Sequence, residues 1–459
     1  MLVNQFQRVH FVGIGGYGMS AIARVMIDLG YQVSGSDIAR QDATDRLEAL
    51  GATVYIGHNR AHVAGADCVV YSTAVTKDNE ELVAAREAGI PVFHRSQMLA
   101  KLMETRKGIA VAGAHGKTTT TSMIAFILQE ADRHPTYVIG GVLTNVGDNA
   151  KAGCGEYLVA EADESDGSFI HYRSYYAVVT NIEADHLENY GGSFEQLKDG
   201  YRRFIGNVDP AGKIVACWDD PVVRELLAAH SGTILKYGLH SATDATAEEI
   251  ELLERGSRFQ MVCGGKRIGQ LELSIPGRHN ILNALAASLV CLDAGVGFAD
   301  IAAALKKFTG AKRRYQVHLD TPELLVVDDY AHHPTEIRAT IAAAKASGRR
   351  VVAVFQPQRY TRTYYLFKEF SRAFAEADEV ILTDIYSPAG EQPIDGVSAE
   401  KLATLISENS GVHTVYCPTK EQVVDYLLKH LRDGDLVLTM GAGDIYKVAE
   451  RLAAASVVP

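Results

Sequence analysis

Short apolar runs alternate along this chain with longer stretches whose apolar residues recur every three or four positions. "RVHFVGIGG" is an apolar run of strand length ending in glycines. "YGMSAIARVMIDLG" follows it with Met19, Ile22, Ala23, Met26 and Ile27 at helical spacing and Gly30 as the stop. "YQVSGSD" and "DCVVYSTAV" read as further strands. The alternation resumes at "KGIAVAG", with strands "EYLVAEAD" and "YAVVTNIEADH" and a helix "NILNALAASLVCLDAG". It resumes again in "ELLVVDDYAHHP", a helix to Ser347, "RRVVAVFQP", "DEVILTDIY" and "DLVLTMGAGD". Strand–helix–strand order predicts parallel sheets covered by helices, an α/β fold. The polar or glycine-rich strand ends are where ligands gather in such sheets. Three segments result, 1–105, 106–311 and 312–459.

A length of 459 residues agrees with more than one domain, since a single core seldom grows past ~250–300 residues. Apolar content of 47% and charged content of 22% are those of a soluble globular protein. The net charge of −11 and the scattered basic residues exclude the basic stripe of a nucleic-acid binder. Six cysteines lie far apart without a C-x-x-C, which argues against a zinc site or a disulfide framework and fits a reducing compartment. The opening "MLVNQFQRVHFVGIGG" has no charged region followed by an apolar one, so no leader peptide is expected. No apolar run approaches the ~18–20 residues of a membrane span, and a cytoplasmic protein without membrane insertion is expected.

Two glycine loops carry the chemistry. "GIGGYG" sets Gly13, Gly15 and Gly18 between a strand and a helix, and Asp37 ends the next strand. This is the dinucleotide fingerprint, in which a helix N-terminus faces a pyrophosphate. A nicotinamide or flavin enzyme and a UDP-binding protein satisfy it equally, because UDP also joins a diphosphate to a ribose. A turn serving only packing is the third reading. "VAGAHGKTTTT" has the strand–loop–helix setting of a phosphate loop, with the spacing from Gly113 to Gly116 one residue short and His115 inside. Lys117 is placed to reach β- and γ-phosphates and the Thr118 hydroxyl to join magnesium. Four consecutive threonines are poor helix formers, so stability alone does not select them. "LVAEADESDGSF" concentrates Glu161, Asp163, Glu164 and Asp166 at a strand end, and "TNIEADHLENYGG" adds Glu183, Asp185 and His186. Such charges repel unless a cation or donors offset them, the alternative being a solvated acidic loop.

"GxHGKTTTT", "EADESDGSF", "TNIEADH", "PGRHNILNALAA", "RRYQ", "DDYAHHPTEI" and "QRYTRT" occur in the order found in the Mur ligases of bacterial peptidoglycan synthesis, which the chain resembles over nearly its whole length. "HFVGIGGYGMSAIA" and "DDYAHHPTE" point to the members that join L-alanine to UDP-N-acetylmuramate. The resemblance implies an N-terminal Rossmann-like UDP-substrate domain, a central P-loop ATPase-type α/β domain and a C-terminal Rossmann-like α/β domain. It implies ATP and Mg2+ as cofactors and small-molecule substrates, with the chain a monomer or weak homodimer. Gly113, Ala114, His115, Gly116, Lys117, Thr118 and Thr119 match the ATP loop; Asn280 and Asn283 match a pair near the adenine; Arg314 and Asp329 match residues engaging ATP. Thr118, Glu161 and His186 match the magnesium ligands. Gly15, Gly16, Gly18, Ser36, Asp37, Ser72, His94 and Arg95 would serve the UDP substrate. Tyr330, His332, Arg359 and Arg362 resemble the residues near the amino acid and the reacting carboxylate, with Lys117, His332, Arg359 and Arg362 as the catalytic set.

Three positions depart from the family pattern. Gln358 stands where His is common in this subgroup, Ala331 where Gly is also common, and Tyr201 near the place of a carbamoylated lysine in other Mur ligases, with Lys198 close by. The modification is therefore not predicted. The chemistry implied is amide formation through an acyl phosphate, with closure of the third segment excluding water. A ligase joining a peptide to the same sugar, a nicotinamide-dependent oxidoreductase and a non-catalytic nucleotide-binding regulator are the competing readings.

Overall fold

Five short runs of the first segment form β1 (Arg8–Val12), β2 (Gln32–Asp37), β3 (Thr53–Ile56), β4 (Cys68–Tyr71) and β5 (Val92–His94). They lie parallel in the order β3-β2-β1-β4-β5. The computed structural model describes residues 6–240, 242–387 and 391–456; residues 1–5, part of the stretch read as lacking a leader, lie outside these. The first helix, Tyr17–Asp28, buries Met19, Ile22, Ala23 and Met26 as the spacing predicts, with Ala21 and Val25 beside them. It stops where Gly30, at φ +88°, turns the chain so that Tyr31 N–H bonds the Met26 carbonyl.

The second segment contributes β6 (Lys107–Ala112), β7 (Thr136–Leu143), β8 (Asp148–Lys151), β9 (Tyr157–Glu161), β10 (Tyr176–Val179), β11 (Lys213–Cys217), β12 (Ile234–Tyr237), β13 (Ala245–Leu253), β14 (Gly256–Cys263) and β15 (Lys266–Leu273). The sheet order is β15-β14-β13-β12-β11-β10-β6-β9-β7-β8. β6 sits between β10 and β9 and is parallel to both. This sheet is larger than the apolar runs predicted. β13 to β15 carry charged residues such as Glu248, Glu251 and Arg267 on exposed positions, so no continuous apolar run announces them.

The third segment forms β16 (Gln316–Asp320), β17 (Leu324–Asp329), β18 (Val351–Phe355), β19 (Glu379–Leu382), β20 (Thr414–Tyr416) and β21 (Asp435–Met440). Their order is β16-β17-β21-β18-β19-β20, with only β16 antiparallel. Alternate residues of β17 enter two cores, Leu325 and Val327 on one face and Val326 on the other, as the period of two requires. The helix read as reaching Ser347 spans Pro334–Lys345, because Gly348 at φ +73° ends it.

The chain packs as two compact units. The first comprises Met1–Glu248, Gln260–Gln270 and Leu282–Leu305, the second Glu249–Phe259, Leu271–Ile281 and Lys306–Pro459. Among the described residues no helix is long and apolar enough to cross a membrane.

Candidate active site

In the first unit, β6 runs into the loop Gly113–Gly116, and the helix Lys117–Glu130 starts at its end. Gly113 has φ +142° and Gly116 φ +82°, values that side chains rarely tolerate. A Cβ at Gly113 would strike the Thr180 hydroxyl, and one at Gly116 the side-chain carbonyl of Asn283. Thr180 and Asn181, just past β10, fix the loop. Asn181 Oδ1 accepts from His115 N–H at 2.8 Å, and its Nδ2 donates to the His115 carbonyl at 3.0 Å. Thr180 Oγ1 donates to that same carbonyl at 2.6 Å, and the Asn181 carbonyl accepts from Ala114 N–H at 3.1 Å. The N–H groups of the first helical turn and the positive end of its dipole then face the loop, a setting that favours an anion. Thr180 and Asn181 were missed in the sequence, because only the sheet order sets the end of β10 beside this loop.

Thr118 to Thr121 are all buried in the first turns of that helix. Their poor helix propensity is offset by acceptors: Thr121 Oγ1 donates to the Lys117 carbonyl at 2.8 Å and Thr120 Oγ1 to Asn283 Oδ1 at 3.2 Å. Asn283 thus supports the loop. Asn280 lies on the same helix, Arg278–Asp293, but donates to the Pro276 carbonyl at 2.6 Å.

Lys117 Nζ lies 2.9 and 2.8 Å from the two oxygens of Glu164 and 2.5 Å from the Gly113 carbonyl. Burial pushes this ammonium down, but Glu164, Asp163 and Glu161 together outweigh burial and hold its pKa above the ordinary value. Glu161 ends β9 opposite Val111 of β6. Its charge reaches Tyr17, whose phenol is pushed up to about 12, first by burial and next by Glu161. Three carboxylates thus surround one ammonium, an excess of negative charge that a cation offsets. Thr118 follows β6, Glu161 ends β9, and His186 follows β10, three neighbouring strands. The hydroxyl and carboxylate are the hard oxygen donors Mg2+ takes, and they fit it; the His186 nitrogen is a softer addition. His186 opens a short turn at φ +55°, with Nε2 3.5 Å from Asp185 Oδ2 and Nδ1 3.8 Å from Glu188 Oε1. His115 Nε2 lies 3.3 Å from Glu183 Oε2. Near the place where other Mur ligases carry the carbamoylated lysine, Tyr201 is fully buried against Phe169. The neighbouring Lys198 ammonium sits 2.8 Å from Glu195 and 3.2 Å from Glu225, where a carbamate would meet two like charges.

The glycine loop after β1 is tied to the end of β2. Gly13 and Ile14 N–H donate to the Ser36 carbonyl at 2.8 and 2.9 Å, and Gly15 N–H donates to Asp37 Oδ2 at 2.8 Å. Gly16 is the N-cap of the helix Tyr17–Asp28, and Gly18 lies in its first turn. A Cβ at Gly18 would come 3.1 Å from Arg95 Nη1. The same guanidinium lies 3.4 Å from Asp166 Oδ2 and 3.6 Å from Asp163 Oδ2. Arg95 therefore connects the first glycine loop with the acidic loop around Lys117. His94 caps the helix Arg95–Met103 through Nδ1, and burial lowers its pKa. Ser72 is half-buried in the turn after β4.

Ser36 is fully buried, and its hydroxyl donates to Glu81 Oε2 at 2.5 Å. Glu81 is itself fully buried, with His62 Nδ1 at 2.7 Å, His58 Nδ1 at 3.4 Å, His10 Nε2 at 3.5 Å and Asn59 N–H at 3.2 Å. Burial pushes this carboxyl up, but His10, Ser36, His62 and Asn59 outweigh it and hold it at about 2, below its ordinary 4.5. A lowered carboxyl stabilises the fold fully above pH 4.5 and loses that contribution as pH falls toward 2. The stability gap between the unaltered chain and Glu81→Gln is therefore expected to be flat above that range and to narrow below it, by up to about 3 kcal/mol. Thermal unfolding of both chains from pH 7 downward measures this, and a gap that widens on acidification contradicts it.

The second unit carries the remaining predicted residues at the carboxyl ends of β17 and β18, which flank β21. Asp329 is buried and accepts from Tyr315 and Ala331 N–H, each at 2.7 Å. Burial raises its carboxyl to about 6, against the opposing Arg314 charge. Arg314 stacks over Tyr330 at 5.2 Å and lies 3.6 Å from Glu336. His332 Nδ1 lies 2.9 Å from the Tyr330 carbonyl. Nδ1 also lies 3.3 Å from Glu336 Oε2, and both oxygens accept, so Nδ1 is the nitrogen that carries a proton here. Arg359 precedes the helix Tyr360–Tyr365, and Arg362 within it donates to Gln358 Oε1 at 2.8 Å. Gln358 thus supplies the acceptor for Arg362. Ala331 is fully buried.

Residues 8–107 match the family described as "Mur ligase family, catalytic domain", residues 111–291 "Mur ligase middle domain", and residues 313–443 "Mur ligase, glutamate ligase domain". The UDP-N-acetylmuramate–L-alanine ligase of Pelotomaculum thermopropionicum is 52% identical over 97% of each chain. That of Symbiobacterium thermophilum is 50% identical over 98% of this chain and 94% of its own. Among solved structures, the UDP-N-acetylmuramate–alanine ligase of Thermotoga maritima superposes with a TM-score of 0.81 at 30% identity, covering 98% of this chain and 99% of that one. A murein peptide ligase from Psychrobacter arcticus gives 0.68 at 26%, covering 99% and 100%. With its three α/β sheets, a glycine loop ending in Lys117 and likeness along its length to enzymes of one kind, this chain belongs to the Mur ligase family.

Proposed function

We propose that the chain joins L-alanine to UDP-N-acetylmuramate, converting ATP to ADP and phosphate, in the synthesis of the peptidoglycan precursor. One observation carries this reading. In a single compact unit, Arg95 lies beside Gly18, in the helix turn that follows the first glycine loop, and pairs with Asp163 and Asp166 of the acidic loop that flanks Lys117. Two anion sites linked through one guanidinium are what a reaction between a UDP-linked acid and a triphosphate requires. The reading assigns 1–105 to the UDP substrate, 106–311 to ATP and 312–459 to the amino acid, and places the work in the cytoplasm, where ATP is available.

A carboxylate is a poor acyl donor because its oxygen leaves badly. Attack of the sugar's carboxylate on the γ-phosphorus gives an acyl phosphate and ADP. The amine of L-alanine then adds to the carbonyl, and phosphate departs. Such transfer depends on positioning and charge. The N–H groups at the start of the helix Lys117–Glu130 receive phosphate oxygens, and Lys117 turns from Glu164 toward the β- and γ-phosphates. Thr118 and Glu161, with His186, would hold Mg2+, which supplies charge neutralisation when bound. Gly15, Gly16, Gly18, Asp37, Ser72, His94 and Arg95 serve the UDP sugar, and Ser36, buried and bonded to Glu81, supports the loop from beneath. Asn280, Asn283, Arg314 and Asp329 serve the nucleotide, and Tyr330, Arg359 and Arg362 the amino acid. His332 Nε2 takes the proton that the ammonium of L-alanine must lose before it attacks.

ADP release with UDP-N-acetylmuramate, scanned across amino acids and against the tripeptide, tests the reading. L-Alanine is expected to give the highest kcat/KM. Preference for the tripeptide would identify a peptide ligase instead, and tight NAD(H) binding an oxidoreductase.

A further inference from the structure

Arg359 has φ +67° and ψ +134°, outside the wells open to L-residues. Such a conformation is strained and persists only where the surroundings over-determine it. It is also the N-cap of the helix Tyr360–Tyr365, yet its side chain makes no capping bond. Stability alone would place Ser, Asp, Asn or Gly there.

Glu391 performs the capping from a distance. Its Oε2 accepts from Tyr360 N–H at 3.0 Å and from Ser387 Oγ at 3.2 Å. Its Oε1 accepts from Thr361 N–H at 3.2 Å and from Thr361 Oγ1 at 2.7 Å. Arg359 N–H in turn donates to the Tyr386 carbonyl at 2.9 Å, and its own carbonyl accepts from Thr363 Oγ1 at 2.8 Å. One carboxylate thus ties the residues after Arg359 to Ser387, beside the isolated bridge between Gln358 and Tyr386 that follows β19, and the strained backbone lies between these fixed points.

We propose that Glu391 is a positioning residue for the ligation: it takes over the capping of the helix so that the cap position can carry Arg359, and it holds that guanidinium in the orientation the acyl transfer uses. This rests on the function proposed above. Glu391→Ala releases Tyr360 and Thr361 and lets Arg359 relax. The expected result is a fall in kcat/KM for L-alanine on the order of 10–100-fold, since small misplacements of such groups carry losses of that size. KM for ATP stays within about twofold if the damage is confined to the acyl-transfer groups. Glu391→Gln keeps an acceptor for one of the two N–H groups and turns a donor toward the other, so it recovers only part of the activity.

Hydrogen exchange at the Tyr360 and Thr361 amides reads the clamp without turnover and is expected to quicken in Glu391→Ala. An alanine variant with unaltered kcat/KM for L-alanine overturns the proposal, as does unchanged exchange at these amides. Equal losses for every substrate with a lowered melting temperature overturn it too, since that marks general damage. If the unaltered chain itself shows no turnover with L-alanine, the function reading fails, and the exchange result still decides the clamp.

Discussion

Lys117→Ala is expected to lower kcat by a factor on the order of 10²–10³ or more, while the chain stays folded. The loss follows from the role proposed for this ammonium in phosphoryl transfer. Charge moves onto the γ-phosphoryl oxygens and the leaving ADP, and a cation fixed in a water-poor loop stabilises that change more than the ground state. Folding survives because the partner can neutralise itself. Burial already raises the Glu164 carboxyl above its ordinary value, so without Lys117 it takes up a proton rather than remain an unpaired charge. Adding Glu164→Gln to Lys117→Ala should then restore any small stability loss without restoring turnover. ADP release and thermal unfolding measured on the same preparations check both halves. Near-normal turnover in Lys117→Ala removes the lysine from the mechanism, and collapse of the fold removes the account of Glu164.

The loops and most strands were legible because each rests on a local signal. The glycines at 113 and 116 mark backbone that must take positive φ, and the apolar runs of β6, β10, β17 and β18 mark strands buried on both faces. Residues that act across the sheet were not legible. Thr180 and Asn181 hold the phosphate loop only because β10 pairs with β6. Glu164 was visible as one acid among several, but nothing local says that it, rather than Glu161, closes on Lys117. Glu391 reaches the helix after Arg359 from a distant stretch of chain. The threonine run shows the same division. Propensity marked it as costly in a helix, and the structure supplies the acceptors that offset the cost.

The neighbouring arginines of "RRYQ" divide their work in a way the motif conceals, and the second large effect follows from it. The resemblance singles out Arg314, whereas Arg313, at φ +61°, turns into the second unit. Its Nε donates to Asp328 Oδ2 at 2.9 Å, Nη1 to the Gly443 carbonyl at 2.8 Å and Nη2 to the Gly441 carbonyl at 2.6 Å. Its guanidinium lies 5.1 Å from the ring of Tyr330 and 4.8 Å from that of Tyr446. Asp328 is fully buried, and its other oxygen accepts from Thr439 Oγ1 at 2.7 Å. Arg313→Ala leaves that carboxylate and two carbonyls without the donor that satisfied them. The expected cost is about 3–5 kcal/mol, the range for breaking a buried pair from one side. Lysine is a poor substitute, since one ammonium cannot reproduce a planar fork with three acceptors and two ring faces. Arg313→Ala combined with Asp328→Asn removes the stranded charge and should recover part of the loss, so the two changes are non-additive. Differential scanning calorimetry on the whole chain should show a transition lowered on the order of 10 °C in the single variant and by less in the double. If the two changes are instead additive, the carboxylate is not what Arg313 serves, and the rings and the Gly441–Gly443 turn must account for its place.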